Sequence, residues 1–279
     1  TQVLTLFPYT TLFRSNKPLD SAQMKSPYPV EWFVSTDGEL LGLTYMPGQN
    51  IRAWHVHTTS GYVESICTIP EGGEDRLYAL IRRTVDGDTV RYVERLASTD
   101  TPDAFEDWTL LDSYVTYDGA AISTVTGADH LEGRTDVYAL ADGVVLGPFT
   151  VASGSFALGV SASVVHYGLR YTGTLRTLSP VMQIDGFGQG REKNPVEAWI
   201  RVVDSAAFDV RTYDEMTETR HPRRSYPVPG IEAEVQTDYA VLKAPLDGSW
   251  NQDAQIEIIS EDPLPLTVLS LTLSVESGK

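Results

Sequence analysis

Cysteine pairs, basic residues, long apolar runs and helical periodicity are all scarce in this sequence, and each scarcity excludes something. One cysteine, Cys67, stands among 279 residues. It cannot form an internal disulfide, so nothing marks an oxidising compartment. No N-x-S/T glycosylation acceptor is present. No apolar stretch approaches the roughly 20 residues of a membrane-spanning helix. Lys and Arg number 21 against 38 Asp and Glu, a formal net charge of -17. That balance argues against wrapping nucleic acid, which needs clustered positive charge. An acidic wall around a conduit would instead repel a phosphate backbone, although solubility alone is the plainer use of such charge. What remains is a globular chain, 42% hydrophobic, long enough to bury a core without disulfides.

The common catalytic signatures are missing as well. There is no G-x-x-x-x-G-K-[ST], H-E-x-x-H, G-x-S-x-G or C-x-x-C. Gly186-Phe187-Gly188-Gln189-Gly190 has the wrong spacing for a dinucleotide fingerprint and reads as a flexible loop. Nowhere do apolar residues recur at i, i+3, i+4 and i+7 over a long run. Apolar and aromatic runs instead alternate with Asp-Gly, Pro-Gly and Ser-Gly turns. The fold class is therefore all-β and antiparallel.

The pattern is clearest from Trp32 to Leu96, where five or six strands are expected, including a hairpin across Asp86-Gly87-Asp88. Residues 30–98 read as an antiparallel meander of the kind that makes a propeller blade, a free sheet or half a sandwich. A polar boundary with Pro102 follows at Ser98–Asp107. Short strands are expected over Trp108–Thr116, Ile122–Val125, Val137–Leu140, Val144–Val145, Gly154–Leu158 and Ser163–Tyr167. Their regular spacing suggests a small β-sandwich over 99–180. Residues 181–279 read as a C-terminal β region with a long loop at about 205–230. It closes on a half-buried strand in which Leu269, Leu271, Leu273 and Val275 alternate with polar residues.

Several residues are candidates for chemistry or contact. His55 and His57, two apart on a strand, share one face. They could hold a metal only with a third ligand, which no spacing supplies, so no metal is expected. His130 and His166 read as structural. Carboxylate clusters at Glu71, Glu74 and Asp75 and at Asp103, Glu106 and Asp107 read as solvated charge, with a glycosidase pair as the enzymatic alternative. Arg82, Arg83, Arg91 and Arg95 gather positive charge on one hairpin of an acidic chain. They fit either cross-strand pairing or contact with an acidic neighbouring subunit. Trp54, Trp108, Tyr171 and Trp250 are candidate aromatic contacts for a carbohydrate or receptor.

Two resemblances bear on the whole chain. Thr5–Ser15, T-L-F-P-Y-T-T-L-F-R-S, resembles the in-frame translation of a sequencing-library adaptor. Residues 1–15 are then not native, 16–29 are a linker, residues up to about 28 pack on nothing, and the chain is the C-terminal part of a longer protein. Further on, D-G-E-L-L-G-L-T-Y, A-W-H-V-H-T-T-S-G-Y-V-E-S-I and R-L-Y-A-L-I-R-R-T-V-D-G-D-T-V-R-Y-V-E-R-L resemble bacteriophage and prophage tail proteins of the nozzle, or tail tubular protein B-like, type. The likeness continues at Gly127–Gly133, Ala139–Gly143, His166–Tyr171 and Asp262–Leu269, covering about Trp32 to Val275. It implies a virion structural protein made in the bacterial cytoplasm. Such a protein assembles as a homo-oligomeric ring with other tail proteins around the DNA exit channel, and viral DNA passes without specific binding. It implies no catalytic site and no cofactor. The alternatives are a carbohydrate- or receptor-binding β module and a glycoside hydrolase.

Overall fold

The computed structural model describes residues 2–4, 17–98, 107–180, 191–213, 221–222, 239–246, 248 and 250–278. Among them there is no α-helix, and antiparallel strands carry the fold. The adaptor-like string, Asp103 and Glu106, the glycine-rich run 186–190 and most of the expected loop at 205–230 lie outside the described residues. By contacts the chain divides into one unit of Thr1–Tyr171 with Val228–Glu232 and a second of Thr172–Pro227 with Ala233–Lys279.

In the first unit, β1 (Gln2–Leu4), β2 (Pro18–Met24), β3 (Val30–Ser35), β4 (Leu40–Met46) and β5 (Ile51–His57) pair antiparallel in the order β1-β5-β4-β3-β2. A second sheet holds β6 (Tyr62–Glu71), β7 (Glu74–Val85) and β8 (Asp88–Arg95). Period-two alternation places Trp32, Val34 and Leu40 on one side and Val63, Leu77, Ala79 and Ile81 on the other, and these side chains form a common core. Two expectations fail here. The linker placed at 16–29 contains strand β2, which pairs with β3, and β1 pairs with β5, so Gln2–Leu4 and Pro18–Met24 do have partners. The polar look of β2 misleads because its burial rests on single side chains. Met24 enters the core, its sulfur taking the Trp32 indole N–H at 3.0 Å. Asp20 accepts the Ser65 hydroxyl at 2.7 Å and the Ile66 N–H at 2.9 Å, which ties β2 to β6.

The same unit continues with β9 (Asp112–Thr126), β10 (Val137–Ala141), β11 (Val144–Phe149) and β12 (Ser155–Leu169), a four-stranded sheet ordered β11-β10-β12-β9. Four of the short strands expected here merge into two long ones, β9 and β12, which pair along their lengths. Asp118-Gly119, one of the Asp-Gly pairs that elsewhere turn the chain, lies inside β9; irregular pairing around Ala157–Ala162, with Gly159 at φ +78°, absorbs the mismatch. True two-residue turns are made by Asp86-Gly87 and Asp142-Gly143, where both residues take positive φ, the geometry that suits a tight hairpin. Phe156, Val165, Tyr167 and Leu169 pack there with Val125, Val137 and Leu131.

The second unit contains β13 (Gly173–Arg176), β14 (Lys193–Val203), β15 (Asp209–Thr212), β16 (His221–Pro222), β17 (Ala240–Pro245), β18 (Ile256–Ser260) and β19 (Thr267–Ser277). β14 lies between β17 and β19, while β18 pairs with β13 and β15. Ala198, Ile200 and Val202 of β14 meet Val210, Ile256 and Ile258 in one core. The alternation predicted for the last strand holds from Leu271 onward. A register shift opposite Arg201 and Val202 turns Leu269 outward, 45% exposed, and gives its inward place to Val268. Glu257, fully buried, is held by Arg176 and Arg211, each at 2.6 Å.

Candidate functional site

The first unit contains a cavity of about 980 Å³. Its floor is the core between the two N-terminal sheets: Val30, Trp32, Leu40, Leu77 and Ile81 all reach it. Its rim is formed by the end of β8 with the residues after it, from Tyr92 to Ser98, and by the residues before β9 with its first five, from Thr109 to Thr116. Polar side chains are frequent in the wall, among them Thr44, His55, His57, Thr59, Glu94, Asp112, His130 and Tyr171.

His55 and His57 do share a strand face, as their spacing requires, and the structure turns them toward each other. His55 Nδ1 lies 2.7 Å from His57 Nε2, and Thr44 Oγ1 lies 3.3 Å from His55 Nε2. Trp32 meets both rings edge-on, at 5.3 and 5.0 Å between centroids. Room for this cluster comes from Gly42, paired with His55 across the ladder. Any Cβ at position 42 would overlap the His55 ring. Burial pushes His55 from 6.5 down to about 4; burial, with the charge of His55, pushes His57 down to about 3. Both rings are therefore neutral near pH 7 and hydrogen-bond to one another. No group of three or more His, Cys, Asp or Glu suited to a metal is found among the described residues.

A charged cluster lies beside the cavity. Arg83 is 4% exposed and donates to Glu94 and to Asp112, reaching Asp112 Oδ1 at 2.9 Å. Asp112 also accepts the Thr59 hydroxyl at 2.7 Å and the Ser60 N–H at 2.9 Å. Burial alone would raise the Asp112 pKa. The hydrogen bonds and charge of Arg83, helped by Ser60 and Thr59, outweigh it and hold the carboxyl below the usual aspartate range. The same two carboxylates hold Arg83 protonated against the cost of its own burial. Asp112 and Glu94 both border the cavity, yet an ionised, fully bonded Asp112 is the opposite of the raised-pKa acid that glycoside hydrolysis needs.

The four arginines singled out in the sequence thus divide. Arg83 points inward and is withdrawn from any subunit contact, because odd and even residues of β7 face opposite sides. Arg82, Arg91 and Arg95 stay on the exposed side. Arg91 pairs with Glu64 at 2.7 Å and Arg95 with Glu71 at 2.9 Å, while Arg82 lies over the Tyr62 ring at 4.7 Å. The aromatic candidates divide too. Tyr171 lines the cavity, where burial first and the nearby Asp112 charge second push its phenol up to about 12. Trp54 packs on Phe33 at 5.9 Å, on the sheet face opposite His55. Trp108 is half-buried, and Trp250, 48% exposed, belongs to the second unit. His166 is buried with Nδ1 2.7 Å from Thr116 Oγ1, and His130 Nε2 lies 3.0 Å from the Ser113 carbonyl. Sequence reasoning missed the cavity, since Thr44, Ala97 and Thr109 carry no motif, and it missed Asp112 as the partner of Arg83. The one available signal was Arg83 itself, an arginine at an inward position of an alternating strand. Comparison with known protein families and with curated proteins gives no match for this chain.

Proposed function

We propose that the chain is a structural component of a phage tail, of the nozzle type. In this reading it assembles through subunit contacts into a ring around the DNA exit channel, in the virion. One observation carries it: the residues that bear the resemblance serve the framework. Gly38, Asp86-Gly87, Gly133 and Asp142-Gly143 make turns at positive φ. Ala128, Leu131, Ala139, Leu140, Tyr167 and Leu264 are buried. Motif residues that build turns and core suit an assembly protein, while others of them, His55, His57 and Tyr171 included, line the cavity. The acidic excess has a use in such a ring, because a channel wall of that sign repels passing DNA. Arg82, Arg91 and Arg95 stay exposed while paired with Glu64 and Glu71, so the next subunit would meet them as surface ion pairs that an acidic flank can share.

Two measurements test this reading. Light scattering of the purified full-length protein is expected to give a discrete multiple of the subunit mass. Incubation with a panel of bacterial polysaccharides is expected to release no reducing ends. Turnover that disappears in a single Asp or Glu variant would replace the structural reading with an enzymatic one.

A further inference from the structure

We propose that the cavity of the first unit is a binding site for a neutral, largely apolar small molecule, an aromatic or branched hydrocarbon body carrying one hydrogen-bonding group. Size is the first argument: about 980 Å³ lies at the upper end of the roughly 300–1,000 Å³ range of small-molecule sites. The second is the wall. Val30, Leu40, Leu77 and Ile81 offer aliphatic contact and Trp32 an aromatic edge, while Thr44 and Tyr171 place hydroxyls among them. Thr59, Ser113 and Thr116 add further hydroxyls to a wall that is mostly apolar in area, and polar atoms so placed orient a ligand. Charge is the third argument, and it decides the class. The carboxylates of Asp112 and Glu94 are already engaged by Arg83, and Arg95 by Glu71. His55 and His57 are held neutral by burial. One guanidinium against two carboxylates leaves this wall net negative, so an anionic ligand would lose its hydration and meet like charge, whereas a neutral one loses little.

The test is a titration of the full-length protein at pH 7 with N-phenyl-1-naphthylamine, a neutral probe whose fluorescence rises in apolar surroundings. Its sulfonated relative 1-anilinonaphthalene-8-sulfonate runs in parallel. One saturable site per chain is expected, with a raised melting temperature and binding at least about tenfold tighter than the sulfonate's. Ala97→Trp, at the rim, is expected to weaken the neutral probe at least about tenfold while the melting transition stays sharp. Thr109→Trp, on the other side of the rim, is read in its place if the first variant does not fold. The comparison of the two probes needs no variant at all. Absence of saturable binding, a stoichiometry far above one, equal binding of the sulfonate, or binding that survives a folded rim variant each overturns the proposal.

Discussion

Gly42 shows how much a single position can carry without any side chain. It sits in the middle of β4, where glycine normally weakens a strand, and its missing Cβ is the space the His55 ring occupies. Gly42→Val should therefore displace the ring and cost on the order of 1–3 kcal/mol through overpacking, read as a lowered urea midpoint. The histidine pair makes a second prediction at this scale. Its folded pKa values, about 4 and about 3, lie below the ordinary 6.5, so the unfolded chain takes up protons first as pH falls. Stability should be unaffected by these groups above pH 6.5 and decline between pH 6.5 and about 4, flattening near pH 3. Melting temperature against pH checks it: a His55→Gln, His57→Gln variant should show a shallower decline, and an unchanged slope contradicts the assignment. Arg83→Met should cost on the order of 3–5 kcal/mol, because two carboxylates lose their partner inside the unit. Arg91→Met, on the exposed face, should leave the urea midpoint unmoved. The two arginines look alike in sequence; only their parity along β7 and β8 separates them.

Elements were legible where local chemistry and long-range pairing agree. The hairpin at Asp86-Gly87 is written in its own residues, both of which can take positive φ. Asp118-Gly119 offers the same dipeptide and is drawn out into a strand by its pairing with β12, which no local reading can see. β2 failed for a related reason. Its stability comes from Met24 in the core and Asp20 on β6, contacts 45 and 46 residues distant in the case of Ser65 and Ile66. The cavity was illegible for the same cause, being a gap between elements with no signature in any one of them. Met24→Ala should remove about 2–4 kcal/mol and loosen β2 first, visible as faster amide exchange over Pro18–Met24 than over β7. Equal protection of the two strands would mean that β2 is held by something other than its core anchor.

At the scale of the whole molecule, the all-β antiparallel class follows from the turn and alternation pattern, and the described residues bear it out. The division by contacts after Tyr171 follows no composition change. It reflects which strands share a core, and Leu169 and Leu175 belong to different ones. In the proposed reading, function depends at this scale on an assembly that no single chain displays. The ring reading makes the exposed stripe of Arg82, Arg91 and Arg95 decisive, and the triple substitution Arg82→Glu, Arg91→Glu, Arg95→Glu should disperse the assembly while circular dichroism stays that of the folded strand-rich chain. The most direct measurement is electron microscopy of the purified full-length protein. Closed rings of uniform size with a central opening are predicted; single particles of subunit mass at every concentration tested would contradict the account.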